Sequence, residues 1–346
     1  MIYNMNSGPS TQYSNLLRRN TNAELQTRLA TAEQELSTGV KSDIYKSLGV
    51  GASEALALNA TLERDAAQIA ANGLLGSRID RMSSAISAIR AGVGPAMELA
   101  LANSVADSGA ADGIQVVARA ALDALVNQAN ATHAGAALFA GAAGDARALT
   151  PWDAASDGGQ TPRQAVAAIT GGSIDSLADA EAKFAELDAL FSGGGFDGLF
   201  YGGSGDGRQS VGIGDGERVS FGASASDPAF REVLQGLAML VSVDPAGITD
   251  DAAYDAWVGT AASRIAEGMA GLLDRQTQLD AASAQVEASS ARLKDREVVY
   301  SARVDALVGV DSYEAATSIT ALETQLQASY AVTARLSQLS FLNFMS

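Results

Sequence analysis

The chain has 346 residues, 47% of them apolar but only 5% aromatic, with no cysteine and a formal charge of −17. That charge, with a pI near 4.4, speaks against nucleic acid and anionic membrane surfaces as partners, since both reward clustered Lys and Arg. Without cysteine there are no disulfides, thiolate metal sites or Cys nucleophiles. The length exceeds one compact domain, so two or three segments are expected, and their burial must come from many Ala, Leu and Val contacts.

Met1 to Pro9 has no basic start and no apolar run of the length a secretory leader needs, so a chain that leaves the cytoplasm is expected to leave without leader cleavage. No segment is expected to form an uninterrupted membrane-spanning helix. The first helix is predicted from about Gln12 to just before Gly39, with Leu25, Leu29, Ala32 and Leu36 as a narrow seam. Gly39 to Gly51 interrupts the helical texture. A second helical region follows from about Ala52 to Asn103, clearest at Leu75, Ile79, Met82, Ile86, Ile89 and Val93, with bends or breaks expected at Gly73, Gly76, Gly92 and Gly94-Pro95. A third helix, about Ala111 to Thr132, presents Ile114, Val117, Ala121 and Leu125 and runs into Leu138-Phe139-Ala140-Gly141.

From Gly141 to Ser226 the periodicity dissolves into Gly, Ser, Asp and Thr. Within this stretch Ser210–Gly214 and Glu217–Phe221 flank Asp215-Gly216, a pair suited to positive-φ hairpin turns, and predict a β-hairpin. Gln164 to Ile169 and Leu177 to Phe191 are expected as short helices. Helical texture returns at Asp227-Pro228, where Asp227 can cap and Pro228 suits a first turn.

No proline follows residue 245, and from Asp251 to Val308 one apolar residue recurs every seven: Val258, Ile265, Leu272, Leu279, Val286, Leu293, Tyr300 and Leu307. A helix of that period keeps one thin stripe toward a partner helix and would run roughly 85 Å at 1.5 Å per residue. Four positions on from that stripe the residues Gln276, Ser283, Ser290 and Glu297 are too polar for a self-sufficient two-stranded zipper, so more than one neighbour is needed. Gly309 ends the helix, and a last one is expected from Ser312 to Phe344 with Ile319, Leu322, Leu326 and Leu336 on its seam.

The fold class expected is therefore mainly α, with long antiparallel helices from both termini forming a coiled-coil-like rod and a smaller β-containing middle domain. The segments are terminal assembly helices at 1–40 and 310–346, a helical rod at 41–142 and 227–309, and an outward-projecting glycine-rich domain at 143–226. Chemistry is sparse. His133, the single histidine, permits no two-histidine metal motif and is expected in a surface or capping role at a helix end. Gly202–Gly207 lacks the tandem repeats of a calcium-binding nonapeptide, and Gly212–Gly216 lacks dinucleotide spacing. Glu287, Asp295 and Glu297 interleave with Arg292, Lys294 and Arg296, as on a solvated or partner-facing helix. No catalytic, cofactor or metal site is predicted.

Several stretches resemble the flagellin superfamily, and most closely its hook-associated protein 3 branch of hook-filament junction proteins. They are Glu35-Leu36-Ser37-Thr38-Gly39-Val40-Lys41, Ala129-Asn130-Ala131-Thr132 with Leu138-Phe139-Ala140-Gly141, Pro151-Trp152, Ser226 to Leu234, and the close Ala334-Arg335-Leu336-Ser337-Gln338-Leu339-Ser340-Phe341-Leu342-Asn343-Phe344-Met345. The resemblance covers residues 10 to 142 and 226 to 345. After Gly39, Ser42-Asp43-Ile44-Tyr45-Lys46 departs from the family in keeping one aspartate and no proline.

Membership implies a non-catalytic subunit, exported unfolded through the flagellar type III channel, that assembles with copies of itself beside a hook-associated protein and flagellin. It implies an extracellular location on the flagellum, and an export chaperone that binds Leu336, Leu339, Phe341, Leu342 and Phe344. Subunit contacts are expected at Leu25, Leu29, Leu36, Ile319, Leu322, Leu326, Leu336, Leu339 and Leu342. Residues before Gly39 and after Gly309 are expected to be mobile in the monomer and helical on assembly. A filament flagellin and a cytoplasmic coiled-coil adaptor are the other readings.

Overall fold

The computed structural model describes residues 11–105, 113–205 and 207–345, with 11, 12, 14, 15 and 336–345 described by backbone alone. Met1 to Pro9 lies outside the described residues. The helices are α1 (Thr11–Thr38), α2 (Ile44–Leu48), α3 (Gly51–Ala102), α4 (Ile114–Ala129), α5 (Pro162–Thr170), α6 (Leu177–Ser192), α7 (Pro228–Ser242), α8 (Asp251–Val308) and α9 (Ser312–Met345). The strands form two antiparallel pairs, β1 (Thr132–His133) with β2 (Ala136–Ala137) and β3 (Gln209–Gly214) with β4 (Glu217–Phe221). The chain forms two compact units, residues 1–66 with 294–346, and residues 67–293.

In the larger unit α3 and α8 run antiparallel, and the sevenfold stripe is buried at Val258, Ile265, Leu272, Leu279, Val286 and Leu293. The polar positions of α8 find polar partners. Ser83 Oγ donates to Asp280 at 2.6 Å and Ser283 Oγ to Asp80 at 2.7 Å, a reciprocal pair that fixes the register of two helices whose apolar stripes are thin. Close approach of α7 to α8 needs glycine: a Cβ on Gly268 would lie 2.7 Å from the Ala229 carbonyl oxygen, and one on Gly236 2.6 Å from that of Ala261.

The hairpin forms as expected, with Asp215 at φ 51° and Gly216 at φ 78° in its turn and a register shift between Gly212 and Gly214. The shifted backbone is held by buried polar side chains. Asn72 Nδ2 and Ser289 Oγ both donate to the Ile213 carbonyl, at 2.9 and 2.8 Å.

Residues 143–226, expected as a separate projecting domain, share one apolar core with α3, α4, α7 and α8. Phe191, Phe196 and Phe200 pack ring on ring, and the Arg231 guanidinium stands 4.3 Å from the centre of the Phe196 ring. Helical spacing places Phe191 on the apolar side of α6, but no helical or strand repeat connects it with Phe196 and Phe200 in the glycine-rich stretch that follows.

Four expectations are corrected. The second helical region has no break: α3 continues through Gly94-Pro95, since Val93, Ala96 and Ala100 carry the buried face across the hydrogen bond that Pro95 cannot make. By length and composition α3 could cross a membrane, with a mean hydropathy of 1.2 over eighteen residues. Alanine raises such an average while burying little, and the larger apolar residues Ile79, Met82, Ile86, Ile89 and Val93 lie in the protein core. His133 lies on β1 and not at a helix end, with Nε2 3.3 Å from Ser77 Oγ, because α4 stops at Ala129. Asp227 stands at the start of α7 but makes no side-chain cap; its carboxylate meets Arg275 at 3.1 Å.

Candidate assembly surface

The smaller unit is built from α1, α2, α9 and the adjoining ends of α3 and α8. Its buried centre is small, comprising Ala55, Val304 and Val308 with Ile44, Leu48, Leu58, Leu62 and Leu307 packed around them. One strong ion pair supports it. Arg296 donates twice to Asp65, at 2.7 and 2.8 Å, and this hydrogen bonding holds the Asp65 carboxyl below its ordinary range against the opposing cost of burial.

Helices α1 and α9 pack antiparallel, chiefly on each other. Asn22, Leu25, Leu29 and Ala32 on α1 meet a seam of Ile319, Leu322, Leu326, Ser329 and Thr333 on α9, and every one of these side chains is only half-buried. Gln26 Nε2 donates to Tyr330 Oη at 2.7 Å, and Ser329 Oγ donates to Asn22 Oδ1. Among the described side chains of α1 none is fully buried, and on α9 only Ala315 is.

Of the residues read from sequence, Leu25, Leu29, Ile319, Leu322 and Leu326 thus share one seam. Leu36 leaves it, at 39% exposure, for a geometric reason: a straight helix drifts about 20° per heptad, and in the last turn Glu35 turns inward instead. Leu336, Leu339, Phe341, Leu342 and Phe344 lie on α9, but their side chains are outside the described set. Sequence reading missed Tyr13, Leu16, Leu17, Tyr313 and Val332, all more than half exposed, because they stand off the heptad seam that it searched for.

The ends of both long segments meet at a small β-bridge. Gly39, at φ 70°, closes α1 in the left-handed conformation that glycine adopts without steric cost. Val40 pairs antiparallel with Gly309: Lys41 N–H donates to the Val308 carbonyl at 2.9 Å and Val310 N–H to the Gly39 carbonyl at 3.0 Å. Lys41 Nζ reaches the Leu307 carbonyl at 3.2 Å, and Glu35 Oε1 accepts from Ser42 N and Oγ at 2.9 and 3.0 Å. A Cβ on Gly309 would lie 2.4 Å from the Asp305 carbonyl oxygen. The Glu35-to-Lys41 motif is thus a set of helix-end fittings.

A cleft of about 490 Å³ between α4, α5 and α7 is lined by Gln115, Arg119, Trp152 and Arg163. Both guanidiniums are tied to Asp153, whose carboxyl is held below its usual range chiefly by the Arg119 hydrogen bond. Among the described residues no group of three His, Asp or Glu side chains could hold a metal ion.

Residues 262–345 match the family described as the bacterial flagellin C-terminal helical region. No curated protein matches the chain. Among solved structures, a protein from Vibrio parahaemolyticus described as a flagellar hook-associated protein is similar in fold, with a TM-score of 0.53 at 12% identity, covering 75% of this chain and 98% of that one. The matched region holds most of α8 and all of α9, which pack as the antiparallel partners of α3 and α1. Residues 262–345 thus carry the helical pattern of the flagellin C-terminal region, and the chain's fold is similar to that of a flagellar hook-associated protein.

Proposed function

We propose that the chain is a structural subunit of the bacterial flagellum that joins hook to filament, exported unfolded and assembled with copies of itself through α1 and α9. The observation that carries this reading is the half-buried α1–α9 seam. Two antiparallel helices whose Leu and Ile contacts remain half open bury too little area, at about 25 cal/mol per Å², to offset the order they require. Neighbouring copies complete the burial, and Leu16, Leu17, Tyr313 and Val332 present further apolar surface to them. The partners on either side would be another hook-associated protein and flagellin, and an export chaperone would hold Leu336, Leu339, Phe341, Leu342 and Phe344 before export. The terminal segments at 1–40 and 310–346 are the assembly core in this reading.

The Leu342-Asn343-Phe344 close favours the junction branch over filament flagellin. Electron microscopy of a strain lacking the gene decides between them. A junction subunit leaves hooks without filaments while flagellin is secreted as monomer; if filaments still grow from the hooks, the junction assignment fails.

A further inference from the structure

The cleft between α4, α5 and α7 has a polar wall of hydrogen-bond donors. Arg119 on α4 and Arg163 on α5 line it, and no Asp or Glu does. Arg119 spends Nε on Asp123 at 2.9 Å and Nη2 on Asp153 at 2.6 Å, while Arg163 reaches Asp153 at 3.4 Å through Nη1. Each guanidinium has further N–H groups to give. Trp152 also lines the cleft; it is 3% exposed, and among the described residues its indole N–H meets no acceptor. A nearly buried donor left without an acceptor is costly to the fold, and an acceptor brought by a ligand removes that cost. Val116, Ala167 and Val241 supply an apolar wall. Val116 is 73% exposed although Ile114 and Ala118 beside it on α4 are buried, so an apolar side chain stands where the outer face of a helix ordinarily carries a polar one.

We infer that this cleft binds a small organic anion, a carboxylate carried on an apolar body. The carboxylate takes its hydrogen bonds from Arg119, Arg163 and the Trp152 indole, and the body covers Val116, Ala167 and Val241. A carboxylate fits because its two oxygens match the paired N–H groups of a guanidinium. The volume of about 490 Å³ lies in the range of small-ligand pockets, about 300–1,000 Å³. Binding is weak, on the order of millimolar, because Asp123 and Asp153 already balance both cations and the anion approaches a unit of net negative charge. The site lies wholly in the larger unit and goes beyond the assembly reading without resting on it.

Titration of the isotope-labelled full-length chain with phenylacetate, followed by NMR at the indole N–H signals of its two tryptophans, tests this. Trp257, fully buried on α8, is the internal control. The expected result is a saturable shift of the Trp152 signal with a Kd of about 1–5 mM while Trp257 stays in place. Phenylacetamide, which has the shape without the charge, and acetate, which has the charge without the ring, should each bind at least about tenfold more weakly. Arg163→Gln should weaken phenylacetate by about tenfold, and Ala167→Leu, which fills the cleft from an exposed helical position, should abolish the shift. An unchanged Trp257 signal shows that each variant is folded. No saturable shift up to about 50 mM, equal binding of the amide or of acetate, or undiminished binding to Arg163→Gln would overturn the inference. Failure of the junction assignment in the deletion strain would leave these outcomes unaffected.

Discussion

Single residues of this chain mostly serve helix ends and close contacts, and their effects can be stated one at a time. Gly39 has open space around its Cα but a φ of 70°, so Gly39→Ala should cost about 1 kcal/mol through backbone strain alone. Thermal unfolding of the smaller unit would read it. Asp65, 5% exposed, forms a two-bonded pair with Arg296, and Asp65→Asn should cost about 1–3 kcal/mol at neutral pH. Because the folded-state pKa of Asp65 is lowered, its contribution is complete above the ordinary value of 3.8 and is lost as pH falls through the folded value. Denaturant titrations of the two proteins should therefore converge at strongly acid pH.

Glu232 has the opposite sign. Burial, then the nearby charge of Glu267, raises its pKa above the ordinary 4.5, with Arg264 opposing. Its ionised form weakens the fold as pH rises from the ordinary value through that raised one, so Glu232→Gln should stabilise the larger unit at pH 7. The same substitution should give no gain below about pH 4, where the glutamate is already neutral.

At the level of elements, the contrast lies between α8 within the larger unit and the α1–α9 pair. The former buries Val258 through Leu293 completely, while the latter leaves Leu25, Leu29, Ile319, Leu322 and Leu326 half open. Limited proteolysis of the monomer should thus cut α1 and α9 before it cuts 67–293; equal resistance would count against the incomplete seam. The long helices were legible because a sevenfold apolar repeat and the stops at Gly39 and Gly309 are local signals. The hairpin was legible for the same reason, through Asp215-Gly216. The Phe191, Phe196 and Phe200 cluster and the Ser83–Asp280 and Ser283–Asp80 pairs were not, because they join residues that no sequence period relates. Of the surface itself, the seam was readable, whereas the off-seam Leu16, Leu17 and Tyr313 became visible only with exposure in hand.

Across the whole molecule charge is unevenly divided. The smaller unit has 10 Lys and Arg against 13 Asp and Glu, and the larger has 13 against 27. Copies can meet through the nearly neutral unit with little repulsion, while the acidic unit keeps free chains apart. Self-association should therefore strengthen between roughly 10 and 150 mM salt, as the Debye length shortens from about 30 to 8 Å, and sedimentation would follow it. Replacing acidic surface residues of the larger unit by their amides should flatten that dependence.

The central claim is that copies of the chain finish the burial that α1 and α9 begin. Hydrogen exchange of those two helices, compared between the monomer and the same chain within isolated flagella, addresses it most directly. The account predicts that amides flanking Leu25, Leu29, Leu322 and Leu326 gain about a hundredfold or more protection on assembly. Unchanged exchange there, with new protection confined to residues 67–293, would contradict it.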